Sequence, residues 1–172
     1  QELFNRLTAW LAPIICFTAE EAWQAYVGDP ENSVHLRQYD AVPANWRNSD
    51  IDANWSTIRH VRQVVMSALE KARNDGAIGA SLQAAPKVYV TPVMQSAFDG
   101  QDVASLFITS AANIVTDTPP DDAFRLDTVA DVAVQFAVAK GGKCARCWKI
   151  MPEVTVDDEI CKRCDNVVKT LA

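Results

Sequence analysis

Histidine is almost missing from this 172-residue sequence, which holds only His35 and His60. Neither stands near the serine or cysteine and carboxylate that would make a persuasive nucleophilic triad, so core or surface roles are expected for both. No GxxxxGK[ST] loop and no GxGxxG occurs, which removes the two familiar glycine-rich phosphate cradles. The longest uncharged runs, residues 7–19 and 103–116, fall short of the ~18 apolar residues of a membrane span, and no membrane anchor is expected. The opening QELFNRLTAW carries charge and no cleavage-site pattern; it is not read as a signal peptide, and the missing initiator Met suggests a fragment or a processed chain. Internal repeats and low-complexity tracts are lacking too. A chain of this length buries roughly 70% of the surface its unfolded form exposes, enough for one full domain and a small one.

Basic charge is scarce as well. Sixteen Lys or Arg face 22 Asp or Glu, a net charge of −6. The imbalance is uneven: residues 140–172 hold seven cations against five carboxylates, and residues 1–139 hold nine against seventeen. If four thiolates bind one Zn(II), the tail becomes about neutral. Such a chain does not coat nucleic acid through a broad basic field, and any contact must be local.

What is present is concentrated in KCARCWKIMPEVTVDDEICKRCDNVV, residues 143–168, where four of the five cysteines form two CxxC pairs, Cys144/Cys147 and Cys161/Cys164, 13 residues apart. Each CxxC turn aims two sulfurs at one point and two such knuckles complete a tetrahedron, so one structural Zn(II) is expected. Iron also suits four thiolates, but no redox context accompanies them. Disulfides are the alternative and require an oxidising compartment. A closed site of four thiolates offers no open coordination position; its role is to fold a segment too poor in apolar residues to build a core. Arg146 lies inside the first knuckle and Trp148 directly after it, where a guanidinium and an indole can reach a phosphate or stack on an unpaired base. The plainer reading has Trp148 capping the small core, with Arg146, Lys162 and Arg163 balancing the sulfur charge. Cys16, in PIICF, reads as a small buried residue.

Apolar spacing at Leu3, Phe4, Leu7, Trp10 and Leu11 predicts a helix that Pro13 ends near Ala12. A capping box of Thr18 and Glu21 is expected to open a second, closed by Gly28, Asp29 and Pro30. Residues 31–49 show no sustained period and read as an extended connection. Ile51, Trp55, Ile58, Val61, Val65, Leu69 and Ala72 predict a helix of about six turns from Ser49 or Asp50 to Asn74, Asp75 and Gly76. Arg59, Arg62 and Arg73 border its apolar seam, either snorkelling over a helix contact or meeting phosphate. Lys87–Thr91 and Val132–Val138 read as strands, with a helix around Gln101–Phe107 and a further strand at Asn113–Thr116. Gly141 and Gly142 read as a hinge. The carboxylate pairs Asp50/Asp52, Asp121/Asp122 and Asp157/Asp158 are read as caps and solvated loops. The expected organisation is a helical part over 1–76, a small α+β unit over 77–139 and a zinc-binding module over 140–172.

LTAWLAPIICFTAEEAW, SVHL, the W-x-x-I-x-x-V-R helix running into ALEKAR, IGASLQA before KVYV, and the CxRCW and CxxC pairs resemble, in that order, the C-terminal region of bacterial-type isoleucyl-tRNA synthetases. The resemblance implies a mainly α fold: a helical anticodon-binding bundle, a small α+β junction and a four-cysteine zinc knuckle module that helps hold the anticodon arm of tRNA(Ile). It places the zinc ligands on Cys144, Cys147, Cys161 and Cys164. Anticodon contact is expected from Arg146 and Trp148, with Lys149, Lys162, Arg163, Arg59, Arg62 and Arg73 as further tRNA-binding candidates. It further implies a cytoplasmic parent that joins isoleucine to tRNA(Ile) with ATP. The HIGH and KMSKS motifs of that catalytic domain do not occur in this sequence, so the fragment is expected to be inactive and monomeric. Two other readings account for the tail: the zinc finger of a formamidopyrimidine-type DNA glycosylase, and a zinc ribbon that meets a protein through Trp148 and Ile150.

Overall fold

A computed structural model describes residues 1–156 and 159–171, so the Asp157/Asp158 pair lies outside the described residues. Helix outweighs strand, and the fold is mainly α. The chain divides into two compact units, Gln1–Asn48 and Ser49–Ala172, each described by itself.

In the first unit, α1 (Glu2–Leu11) and α2 (Cys16–Val27) enclose Ala12, Ala19, Trp23 and Val34, with Phe4 and Val27 packed against them. Pro13 follows the end of α1, as its missing N–H and fixed φ require. The expected Thr18–Glu21 capping box does not form: α2 starts two residues earlier and has no side-chain cap. The reason is the tight turn before it. Ile14 and Ile15 N–H both bond Leu11 O, and Ala19 N–H bonds Ile15 O, so Thr18 lies inside the helix. Cys16 is exposed rather than buried, because the apolar stripe of PIICF turns outward at this helix start. Gly28 closes α2 at φ 69°, the left-handed conformation that suits glycine.

The 31–48 segment contains two short 3₁₀ turns, Val34–Leu36 and Ala44–Trp46, and is pinned by side chains. Glu20, one position before the expected partner, accepts Val34 N–H at 2.8 Å and the Ser33 hydroxyl at 2.9 Å. Arg37 lies 4.4 Å over the Trp23 ring and donates to Asn5 O at 2.6 Å.

The second unit is organised by α3 (Ser49–Asn74), whose Ile58, Val61, Val65, Leu69 and Ala72 form one buried stripe, joined by Val64 and Ala68. Opposite it lies a sheet of β1 (Lys87–Tyr89), β2 (Asn113–Val115), β3 (Phe124–Leu126) and β4 (Val129–Gln135), in the order β2-β1-β4-β3. β1 runs parallel to β2 and antiparallel to β4. The period-2 alternation sorts the residues: Val88, Val132 and Val134 join the α3 core, while Tyr89 and Ala133 face the other side with Ala123. β4 begins three residues before the expected run, because Asp131, at φ 62°, interrupts the apolar text with a kink. Two short helices, α4 (Pro92–Ser96) and α5 (Val103–Leu106), fill the β1–β2 connection, and Phe98 and Phe107 meet edge to face in the core. The IGASLQA stretch is a tied turn in which Gln83 Oε1 accepts Gly79 N–H at 2.6 Å and Ala80 N–H at 3.1 Å.

Candidate metal centre and nucleic-acid interface

The cysteine module is a hairpin and a helix. β5 (Gly142–Lys143) pairs with β6 (Ile150–Met151) around the first knuckle, and α6 (Lys162–Leu171) starts within the second. The expected hinge at Gly141 and Gly142 is a close packing point instead. A Cβ on Gly141 would lie 2.1 Å from Met151 O and one on Gly142 2.5 Å from Val154 O. Gly142 N–H bonds Val154 O at 2.8 Å. Side chains are excluded here so that the backbones can meet.

The four sulfurs lie within 4.8 Å of one another, and all four cysteines are thiols rather than disulfides. A regular tetrahedron with metal–sulfur arms of ~2.3 Å has edges of about 3.8 Å, and Cys147 Sγ to Cys161 Sγ is 3.8 Å. The donor set and spacing therefore fit one Zn(II). Cys144, Cys161 and Cys164 are buried beside Val154, with Met151 and Ile160 packed around them; this is almost the entire core of the module. Backbone donors are aimed at the first ligand: Cys161 N–H lies 3.3 Å and Cys147 N–H 3.5 Å from Cys144 Sγ. Burial alone would raise the Cys144 thiol, but these donors and the Arg146 amide outweigh it and bring it down to about 6. Burial pushes Cys147 up to about 12, and Cys161 is raised by the same cause. The fold thus favours the thiolate at Cys144, while Cys147 and Cys161 need a metal to lose their protons at neutral pH.

Around this frame, Arg146, Lys162 and Arg163 are exposed. Trp148 is 61% exposed, which overturns the reading of it as a core cap. Its backbone is left-handed at φ 63°, a conformation that disfavours large side chains, and Lys143 Nζ lies 5.7 Å from its ring centroid. Lys149 is half-buried and donates to Ser105 Oγ at 3.4 Å in an exposed hydrogen bond. The α3 arginines each hold a partner of their own. Arg62 Nε donates to Leu106 O at 2.9 Å, Arg59 faces Asp52 at 3.8 Å, and Arg73 pairs with Glu70. Sequence reasoning missed Ser110 altogether: its Oγ accepts Ile150 N–H at 2.6 Å and donates to Leu82 O at 2.5 Å. A lone serine in TSAAN carries no signal for that role.

Comparisons with known proteins match both parts of the chain. The model of the anticodon-binding domain of tRNA ligases matches residues 1–89. This chain belongs to that family. A second model, the zinc finger found in FPG and IleRS, matches residues 141–167, so the four-cysteine cluster is a structural zinc site. The chain is also 46% identical to isoleucine–tRNA ligases of Agrobacterium fabrum over 159 residues, covering 92% of this chain and 16% of that protein. It is 46% identical to that of Ruegeria pomeroyi over 167 residues, covering 95% and 17%. It therefore spans about one sixth of the length of the curated relatives it matches. Among the described residues no helix is long and apolar enough to cross a membrane.

Proposed function

We propose that the chain is the tRNA(Ile) anticodon-arm recognition module of a cytoplasmic isoleucine–tRNA ligase, whose remaining chain carries out ATP-dependent ligation of isoleucine. The observation that carries this is the pairing of an anticodon-binding match over residues 1–89 with a zinc frame that displays a large exposed indole. Trp148 occupies a left-handed position where glycine would be unstrained. An energetically disfavoured, solvent-facing tryptophan is consistent with selection for its side chain rather than for the fold. Stacking on an unpaired anticodon base, with Arg146 at phosphate or base and Lys162 and Arg163 nearby, uses that display. Arg59 and Arg73, already in ion pairs, would add phosphate contacts by exchanging partners, whereas Lys149 and Arg62 act through the positions they hold.

The module would act as a monomer alongside the parent chain. Its expected parts, a helical anticodon-binding segment to residue 76, an α+β junction to 139 and the zinc module from 140, belong to the same proposal. The glycosylase reading accounts for residues 141–167 alone and leaves the 1–89 match without a role.

The test is binding of the zinc-loaded chain to a tRNA(Ile) anticodon stem-loop, beside a valine-anticodon hairpin and a chelator-treated sample. Preference for the isoleucine hairpin that vanishes with the metal is expected. Equal binding of both hairpins, unaffected by chelation, would overturn the role assigned to the cysteine module.

A further inference from the structure

Two side-chain bridges tie the zinc module to the turn of residues 79–83 and to α5, both of its own unit. The first is Ser110. Its hydroxyl sits between the module and the tied turn of residues 79–83, accepting Ile150 N–H from β6 at 2.6 Å and donating to Leu82 O at 2.5 Å. The hydroxyl thus donates on one side of the junction and accepts on the other. The second is a chain of three groups: Lys149 Nζ donates to Ser105 Oγ at 3.4 Å, which donates to Asp102 Oδ2 at 2.6 Å. Asp102 also accepts Ser105 N–H as the cap of α5.

The backbone between the two serines is shaped to deliver them together. α5 ends at Leu106, Ile108 takes a left-handed φ of 55°, and Thr109, fully buried, bonds back to Ala104 O through its N–H at 2.9 Å. A β-branched residue with positive φ is a genuine outlier; the turn keeps it, and Ser110 emerges against β6 with its own N–H on Ala84 O. The linker does not compete with this arrangement, since Ala139 N–H bonds Gln83 O and the glycines after it are packed.

We propose that Ser110, supported by the Asp102–Ser105–Lys149 bridge, is the positioning residue that locks the orientation of the zinc module on the sheet, and that RNA binding by Arg146 and Trp148 depends on this lock. The second half rests on the RNA-binding reading above; the first does not. Without the hydroxyl, Ile150 N–H and Leu82 O lose their partner, the module reorients, and only the fraction of molecules in the right pose binds.

The experiment compares the zinc-loaded wild-type chain with Ser110→Ala and Ser110→Thr, measuring zinc content, residual dipolar couplings of the module and of β1–β4, and affinity for the tRNA(Ile) anticodon stem-loop. In the wild type one alignment tensor should fit both sets of amides. Ser110→Ala should keep its zinc, require two tensors and bind the hairpin about tenfold more weakly, and Ser110→Thr, which keeps the hydroxyl, should restore both readouts. A single tensor in Ser110→Ala overturns the lock. Two tensors with wild-type affinity overturn its link to binding. Loss of zinc or of the sheet in Ser110→Ala would make the residue merely structural and overturn the proposal. If the wild type ignores the hairpin, the RNA reading fails, and the dipolar couplings still decide the lock.

Discussion

If Trp148 stacks on an anticodon base as proposed, it separates stability from binding in a single side chain. Its ring is mostly in solvent and its φ is 63°, so truncation removes little packing, and a glycine there relieves a left-handed strain of about 1–2 kcal/mol. Trp148→Gly is therefore expected to melt no earlier than the wild type and to hold zinc equally well. Loss of one stacked base costs ~1–3 kcal/mol, so its hairpin affinity should drop roughly five- to 150-fold. Parallel melts and hairpin titrations check both halves, and a variant that loses zinc along with binding would assign Trp148 to the fold. Glu20 offers a second residue-scale test. Its carboxyl is held below the ordinary glutamate range by hydrogen bonds from the Gln24 amide, Val34 N–H and the Ser33 hydroxyl. A depressed native pKa means that the stabilisation is present above the unfolded-state pKa and is lost as pH falls through the native one. Melting of the first unit should thus weaken on acidification in the wild type and depend less on pH in Glu20→Gln, followed by thermal melts across pH 3–6. The four ligands were legible from spacing alone, because metal geometry leaves few arrangements for two CxxC turns. Glu20 was not: an acidic residue one helical step from the predicted capping partner differs from it only by where a distant loop returns.

At the scale of elements, two cores of different origin stand side by side in the second unit. One is the stripe of α3 on the sheet, where Leu69 is 1% exposed. Leu69→Ala should cost about 2–5 kcal/mol, as buried leucine truncations do, and lower the denaturation midpoint of the sheet, read from the protection of the β1 and β4 amides. The other core consists largely of sulfur. Stripping the zinc should release amides of β5, β6 and the start of α6 to exchange while those of α3 and β4 stay protected. Simultaneous loss of both sets would show a single cooperative core instead. α3 was readable because seven apolar positions at helical steps leave no competing pattern. β3, α4 and α6 were not: the strand is three residues long, α4 is one short turn after Pro92, and α6 shows little apolar text beyond Val167, Val168 and Leu171 since its buried contact is Cys164. Gly141 and Gly142 were misread because a pair of glycines signals permissive backbone, and only the neighbouring strand reveals whether that permission serves motion or close approach.

For the whole molecule, the decisive property is how little positive charge is available to meet RNA. Net charge is −6, several cations already sit in ion pairs, and Lys149 is turned toward Ser105. Arg146, Lys162 and Arg163 are the exposed cations of the knuckles. If about three phosphates are neutralised on a single-stranded loop, log affinity should fall against log salt with a slope of about −2, much shallower than for proteins that bind through a basic field. The acidic remainder opposes binding, so the affinity itself should be weak. Arg146→Glu with Lys162→Glu should abolish most of the binding and flatten what slope remains, whereas Trp148→Gly should lower affinity without changing the slope, because stacking releases no counterions. Titrations of all three chains at four salt concentrations test this. If charge reversal left binding intact while Trp148→Gly removed it, the contact would be apolar, and the zinc module would be a docking point for a protein.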